Sequence, residues 1–289
     1  MEKKEKKFNI YKILTIVFAV ALLVVLGIMG RNWIVQRNAQ KEYEKLAAQV
    51  NRLQDEANEN AIMLPSDTEE TEMPVETEET SSEEDSLTML GIEAPEKNID
   101  WTSLASVNPD IYAWICIPGT NIDYPILQHP TDDSYYLNYN MNGTRGYPGC
   151  IYTEKINDKD FTDFNTVVYG HNMRNDSMFA TLHNFEDAAF FEQRPYVYIY
   201  TGDKVLAYEI FAAYTADDTH ILYANDFSTE KGRQAYLSNI MKNQTNDGNV
   251  RQGVSVSTGS HILTLSTCIQ GQKNKRFLVQ AILVNEDEL

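Results

Sequence analysis

Eight short runs rich in β-branched and aromatic residues crowd the C-terminal two-thirds of the chain. They are Tyr112–Pro118 (YAWICIP), Ile122–Gln128 (IDYPILQ), Gly149–Thr153 (GCIYT), Asn165–His171 (NTVVYGH), Pro195–Thr201 (PYVYIYT), Val205–Thr215 (VLAYEIFAAYT), His261–Thr267 (HILTLST) and Arg276–Val284 (RFLVQAILV). Runs of this composition, bounded by Gly, Pro, Asn or Asp, read as strands. IPGTNIDYP joins the first two through a Pro-Gly and Asn turn, as a hairpin would. Helical patterns are fewer. One follows RNDS, where Asn175, Asp176 or Ser177 offers a cap to a segment carrying Met178, Leu182 and Phe185. A second runs from about Ser228 to Met241, between the sixth and seventh strands, with Ser228 as its expected cap. Eight strands with few helices predict a mainly β fold closed into a barrel, which removes sheet edges.

The first third has a different pattern. Residues 1–12 form a basic tail with Lys3, Lys4, Lys6, Lys7 and Lys12, followed by an uncharged apolar run over 13–30, ILTIVFAVALLVVLGIMG. At a helical rise of about 1.5 Å per residue, such a run nearly spans a hydrocarbon core of roughly 30 Å. The lysines predict a cytoplasmic N-terminus, with the bulk of the chain outside the cell. No small-x-small cleavage site precedes Arg31, so an uncleaved single-pass anchor is expected rather than a signal peptide. Residues 31–64 are rich in helix formers, with Tyr43, Leu46, Val50 and Leu53 at 3-4-3 spacing. That stripe is short for a coiled coil, and a solvated helical stalk is expected.

Charge changes the picture at one place. The net charge is −18, and ten acidic side chains without a Lys or Arg lie between Asp67 and Asp85. A like-charged tract with almost no large apolar residues predicts an extended, disordered linker over 65–86. The absence of a basic surface argues against a nucleic-acid partner. The globular domain is then 87–289, about 200 residues and enough for one full core.

Three cysteines are too few for a disulfide-stapled domain, and the odd number leaves at least one free thiol. Cys116 and Cys150 are open to pairing or to burial as free thiols. Cys268 ends the seventh strand. A cysteine nucleophile needs a base and a group to hold the developing oxyanion. Of the five histidines, His129, His183, His220 and His261 read as ordinary surface or core residues. His171 lies just past a buried apolar strand, after Gly170, which is read here as letting the backbone turn sharply. Arg276 follows the polar loop IQGQKNK, and an antiparallel return would bring its guanidinium beside Cys268. No metal cluster or phosphate-binding Gly-rich loop is present, so no metal and no cofactor is expected.

Together these residues resemble a known pattern. TLSTC, Thr264–Cys268, is similar to the Thr-Leu-x-Thr-Cys signature of the sortases, cysteine transpeptidases of Gram-positive cell surfaces. YGHNM, Tyr169–Met173, looks like their histidine motif, and Arg276 stands where their arginine does. NPDIYAWICIPGTNIDYPILQ and DSMFATLHNFEDAAFFEQRPYVYIYT are similar to the class B subgroup, as is the helix-bearing connection between strands six and seven. The resemblance implies an eight-stranded β-barrel with peripheral helices. It implies Cys268 as nucleophile, His171 as general acid/base and Arg276 as oxyanion or substrate-positioning group, with Ser266 and Thr267 contacting the substrate. It also implies cleavage after Thr of a C-terminal sorting motif, of the NPxTN/G or PxTG kind, on surface proteins. The acyl group then passes to an amine of peptidoglycan, its precursor or a pilin.

Two other classes fit less well. A papain-like peptidase carries its cysteine early, on a helix, and an L,D-transpeptidase carries a Ser-x-Gly-Cys motif that LSTCIQ lacks. A non-catalytic stalked surface-binding module would bury Cys268 away from His171.

Overall fold

A computed structural model describes residues 10–62, 84–202, 204–286 and 289. The basic tail, except for Ile10–Lys12, and the acidic tract over 65–83 lie outside the described residues. Eight strands form the sheet: β1 Ile111–Cys116, β2 Asp123–Leu127, β3 Ile151–Thr153, β4 Asn165–Tyr169, β5 Tyr196–Tyr200, β6 Val205–Asp217, β7 Ile262–Ile269 and β8 Gln272–Leu283. A two-residue strand, Asn249–Val250, adds to the edge of β6. The strand order is β5-β1-β2-β3-β4-β7-β8-β6, and the pairing of β5 with β6 closes the barrel. The closed eight-stranded barrel expected from the pattern is the observed architecture. Its interior is apolar, with Ala113, Ile115, Ile126, Val168, Leu263, Leu265, Val279 and Ala281 fully buried.

The β1–β2 hairpin turns at Pro118-Gly119. Pro presets the first turn residue, Gly119 takes the positive φ of +83°, and Thr120 N–H closes on the Ile117 carbonyl at 3.1 Å. The helix expected after RNDS forms differently. Asp176 and Met178 adopt left-handed backbone, and the Met178 N–H is taken by the Tyr124 hydroxyl at 3.1 Å. No helix can start from such a turn, so only a 3₁₀ segment forms, Ala180–Glu186, without a side-chain cap. Asp187 then caps a short helix, Ala188–Gln193, through the Phe190 N–H. In the connection from β6 to β7 the long helix is Glu230–Asp247, and Thr229 rather than Ser228 caps it, accepting from the Gly232 N–H at 3.2 Å. Ser228 Oγ is committed to Asp226 instead.

Two parallel pairs, β2–β3 and β4–β7, interrupt an otherwise antiparallel sheet. The β4–β7 pair matters most for the site, and a buried polar network pins its register. Thr264 Oγ1 on β7 donates to Asn165 Oδ1 on β4 at 2.8 Å. Gln280 Nε2 on β8 donates to Thr264 Oγ1 at 3.0 Å and to the Tyr236 hydroxyl at 2.8 Å. A one-residue slip would orphan each of these buried groups.

The N-terminal helix α1, Ile10–Ile62, is continuous through the expected anchor and stalk. Its apolar side chains from Ile13 to Met29 are exposed, and among the described residues it is one helix long and apolar enough to cross a membrane. The stalk differs from the solvated helix expected. Tyr43 and Val50 of its stripe are buried with Ala39, and Leu46 packs on the same core. Tyr43 Oη donates to the Gly149 carbonyl at 2.8 Å, and Glu42 accepts from Asn142. The spacing gave the stripe but not its partner, which is the domain rather than a second helix.

Candidate active site

The parallel register of β4 and β7 dictates what meets at their C-terminal ends. Tyr169 pairs with Ser266, and the Gly170 N–H donates to the Ser266 carbonyl at 3.2 Å. Two residues further along stand His171, just past the end of β4, and Cys268 on β7. On the other side of β7 the antiparallel register places Arg276 directly opposite Cys268. Three residues far apart in sequence are thus brought to one end of three adjacent strands. All three line a cleft of about 690 Å³, together with Ser266 and Thr267.

Cys268 is exposed, whereas Cys116 and Cys150 are buried, and all three thiols are free. Burial pushes the Cys116 and Cys150 thiols up to about 12, which leaves them protonated and unreactive. His171 Nε2 lies 2.8 Å from the Leu137 carbonyl. A carbonyl only accepts, so that nitrogen carries the proton and Nδ1 is the open ring position. Burial lowers the imidazole below its usual 6.5, and the Leu137 bond offsets part of that. The Tyr147 ring stands edge-on to the imidazole at 4.9 Å.

Gly170 serves this geometry through its lack of a side chain, not through an unusual turn. A Cβ there would lie 2.5 Å from Ile151 Cδ1 and 2.7 Å from the Phe179 ring. Arg276 is half-buried, and its Nη1 donates to the Lys273 and Lys275 carbonyls. Among the described residues it makes no ion pair, and it lines the cleft. Ser266 is 6% exposed and Thr267 2%. The Thr267 hydroxyl donates to the Gly170 carbonyl at 2.8 Å, tying β7 to the turn that carries His171.

Two further groups flank the cleft. His220 Nε2 meets Glu154 Oε1 at 2.9 Å, and burial pushes that carboxyl up while the imidazole pulls it down. Both line the cleft, although His220 reads from sequence as an ordinary residue in the long connection. His183 lies against the Cys268 carbonyl at 3.1 Å and against Glu186 at 2.6 Å. The spacing of His183 and Glu186 puts them on one helical face, but sequence alone does not say that this face meets the end of β7. His129 and His261 are structural, accepting backbone N–H bonds in a turn and meeting the Asp163 carbonyl respectively.

Comparison with known proteins gives the arrangement a family. The Sortase domain model matches residues 115–284. The chain belongs to the sortase family, class B. It is 33% identical over 185 residues to sortase B of Listeria monocytogenes, covering 63% of this chain and 73% of that protein. The crystal structure of Clostridium perfringens sortase B superimposes with a TM-score of 0.57 at 34% identity, covering 63% of this chain and 98% of that one. A Staphylococcus aureus sortase B–substrate complex is similar at 26% identity with a TM-score of 0.56, over 64% of this chain and 84% of that one. The chain is therefore a cysteine transpeptidase, of a family that acts on surface proteins bearing sorting signals and on amine acceptors. The papain-like, L,D-transpeptidase and non-catalytic alternatives fall away.

Proposed function

We propose that Cys268 is the nucleophile of this sortase, His171 its general acid/base and Arg276 its oxyanion-stabilising group, with Ser266 and Thr267 forming the wall against which the substrate lies. The observation that carries this reading is the register: β4, β7 and β8 deliver the three side chains to one cleft mouth. Because burial favours the neutral imidazole, His171 takes its proton during the reaction. As the Cys268 sulfur attacks the Thr carbonyl carbon, its proton passes to His171 Nδ1. Arg276 balances the charge on the carbonyl oxygen. Collapse breaks the C–N bond, and His171 returns the proton to the leaving amine. The thioester is then attacked by an acceptor amine, which gives a proton to His171, and the Cys268 thiol is regenerated.

The substrate is a sorting motif of the NPxTN/G or PxTG kind, cleaved after Thr, and the acceptor is an amine of peptidoglycan, its precursor or a pilin. The apolar face of α1 is read as a single-pass membrane anchor. The lysines before it support a cytoplasmic N-terminus, with the catalytic domain outside the cell.

The test is peptide-library cleavage by the full chain in detergent. Cys268→Ala abolishes turnover, while Cys116→Ala and Cys150→Ala, each removing an inert buried thiol, retain most of it. Wild-type turnover by Cys268→Ala would overturn the assignment.

A further inference from the structure

β4 ends at Tyr169, so beyond Ser266 the facing edge of β7 has no strand neighbour. The Cys268 carbonyl lies on that unpaired edge. Two side chains meet it: Asn172 Nδ2 at 2.9 Å and His183 Nε2 at 3.1 Å. The two also meet each other, at 2.9 Å. Behind them, Glu186 Oε1 lies 2.6 Å from His183 Nδ1. The imidazole is stacked on Phe277 of β8, the residue after Arg276, at 4.9 Å and 23°. Four residues from three segments thus converge on one peptide group, that of Cys268.

The geometry points to His183, oriented by Glu186 and assisted by Asn172, as a positioning group for Cys268. Glu186 accepts the Nδ1 proton and fixes the ring. In the neutral ring, Nε2 accepts one Asn172 amide proton while the other goes to the Cys268 carbonyl. In the protonated ring, Nε2–H donates to that carbonyl directly. Either way the peptide plane is held from the open edge of β7, and the strand end keeps the thiol aimed between His171 and Arg276. Positioning of this kind acts on the chemical step, because small misplacements of a reacting group lower the rate more than they weaken binding. Asn172 directly follows His171, so the same network ties the two reacting side chains together.

This inference rests on the reading of Cys268 as nucleophile, and the control separates the two: activity in Cys268→Ala sinks that reading, whatever His183 does. The experiment measures kcat and KM of the full chain in detergent on a cleavable sorting peptide, with iodoacetamide alkylation of Cys268 and Tm alongside. His183→Ala is expected to lower kcat about tenfold with KM within about twofold. His183→Gln, whose side-chain amide can accept from Asn172 or donate to the Cys268 carbonyl, recovers most of that loss. Glu186 is more than half exposed, so Glu186→Ala keeps the fold and is expected to lower kcat about threefold and slow alkylation. Unchanged kcat in both His183→Ala and Glu186→Ala would overturn the proposal. So would a His183→Gln variant that regains Tm but not kcat, or losses of kcat and Tm in proportion across all three variants.

Discussion

At the scale of single residues, environment rather than residue type separates the reactive groups from the inert ones. Cys116 and Cys150 are shielded from water, whereas Cys268 ends its strand in an open cleft between a cation and an imidazole. Burial of His171 has a consequence for stability. Its folded pKa is lowered, so below the usual imidazole value the unfolded chain binds a proton that the folded chain still refuses. The unfolded state then holds more protons, and stability falls as pH falls. The contribution is complete above about 6.5 and is lost as pH drops through the lower folded value. His171→Gln keeps a donor for the Leu137 carbonyl and removes the titration. Thermal melts from pH 7.5 to pH 5 should therefore show wild type losing Tm faster than this variant. Parallel Tm curves would show that the imidazole is not held neutral by its surroundings.

The elements matter through how closely they approach one another. β4 must pass near β3 and the segment before the 3₁₀ turn if His171 is to line the same cleft as Cys268, and Gly170 is where that approach is tightest. Gly170→Ala introduces a Cβ against the Phe179 ring, which cannot swing away as the Ile151 methyl can. Overpacking of this sort costs about 1–3 kcal/mol. In a domain of this size that lowers Tm by several degrees, at roughly 2–4 °C per kcal/mol. Because the displaced backbone carries His171, kcat should fall further than Tm alone implies. A variant with lowered Tm and wild-type kcat would mean that the turn absorbs the strain without moving the imidazole. The alternating and aromatic-rich runs made all eight strands legible, and the order of Cys268, His171 and Arg276 was legible through the motifs around them. What stayed hidden were contacts fixed by tertiary approach. The Tyr124 hydroxyl that takes the Met178 N–H and prevents an RNDS-capped helix is one, and the 3₁₀ face that brings His183 to β7 is another. Gly170 was visible as a glycine, but the steric reason for it lies on β3 and Phe179.

At the scale of the whole molecule, the helix leading from the apolar segment is part of the domain it carries. Tyr43 and Val50 are buried against the barrel, and Tyr43 Oη reaches both the Gly149 carbonyl and Cys150 Sγ. Gly149 in turn sits within van der Waals reach of the His171 ring, where an added Cβ would come 3.4 Å from Cδ2. Burying side chains of this size contributes about 1.5–3 kcal/mol each, less the entropy of ordering the helix. A fragment beginning at residue 84 keeps the core residues Leu87 and Ile92 but loses this support. Its expected stability is about 1–3 kcal/mol below that of a fragment beginning at residue 31, by denaturant unfolding. Cys150, covered by Tyr43 in the longer chain, should become labelled by a thiol reagent in the shorter one. Peptide cleavage should survive, because Cys268, His171 and Arg276 all come from the barrel. Tyr43→Ala in the longer fragment should reproduce both the stability loss and the Cys150 labelling, since it removes the side chain that seals that thiol. Equal stability of the two fragments, with Cys150 protected in both, would mean that the stripe on α1 contributes nothing to the domain and is a spacer after all.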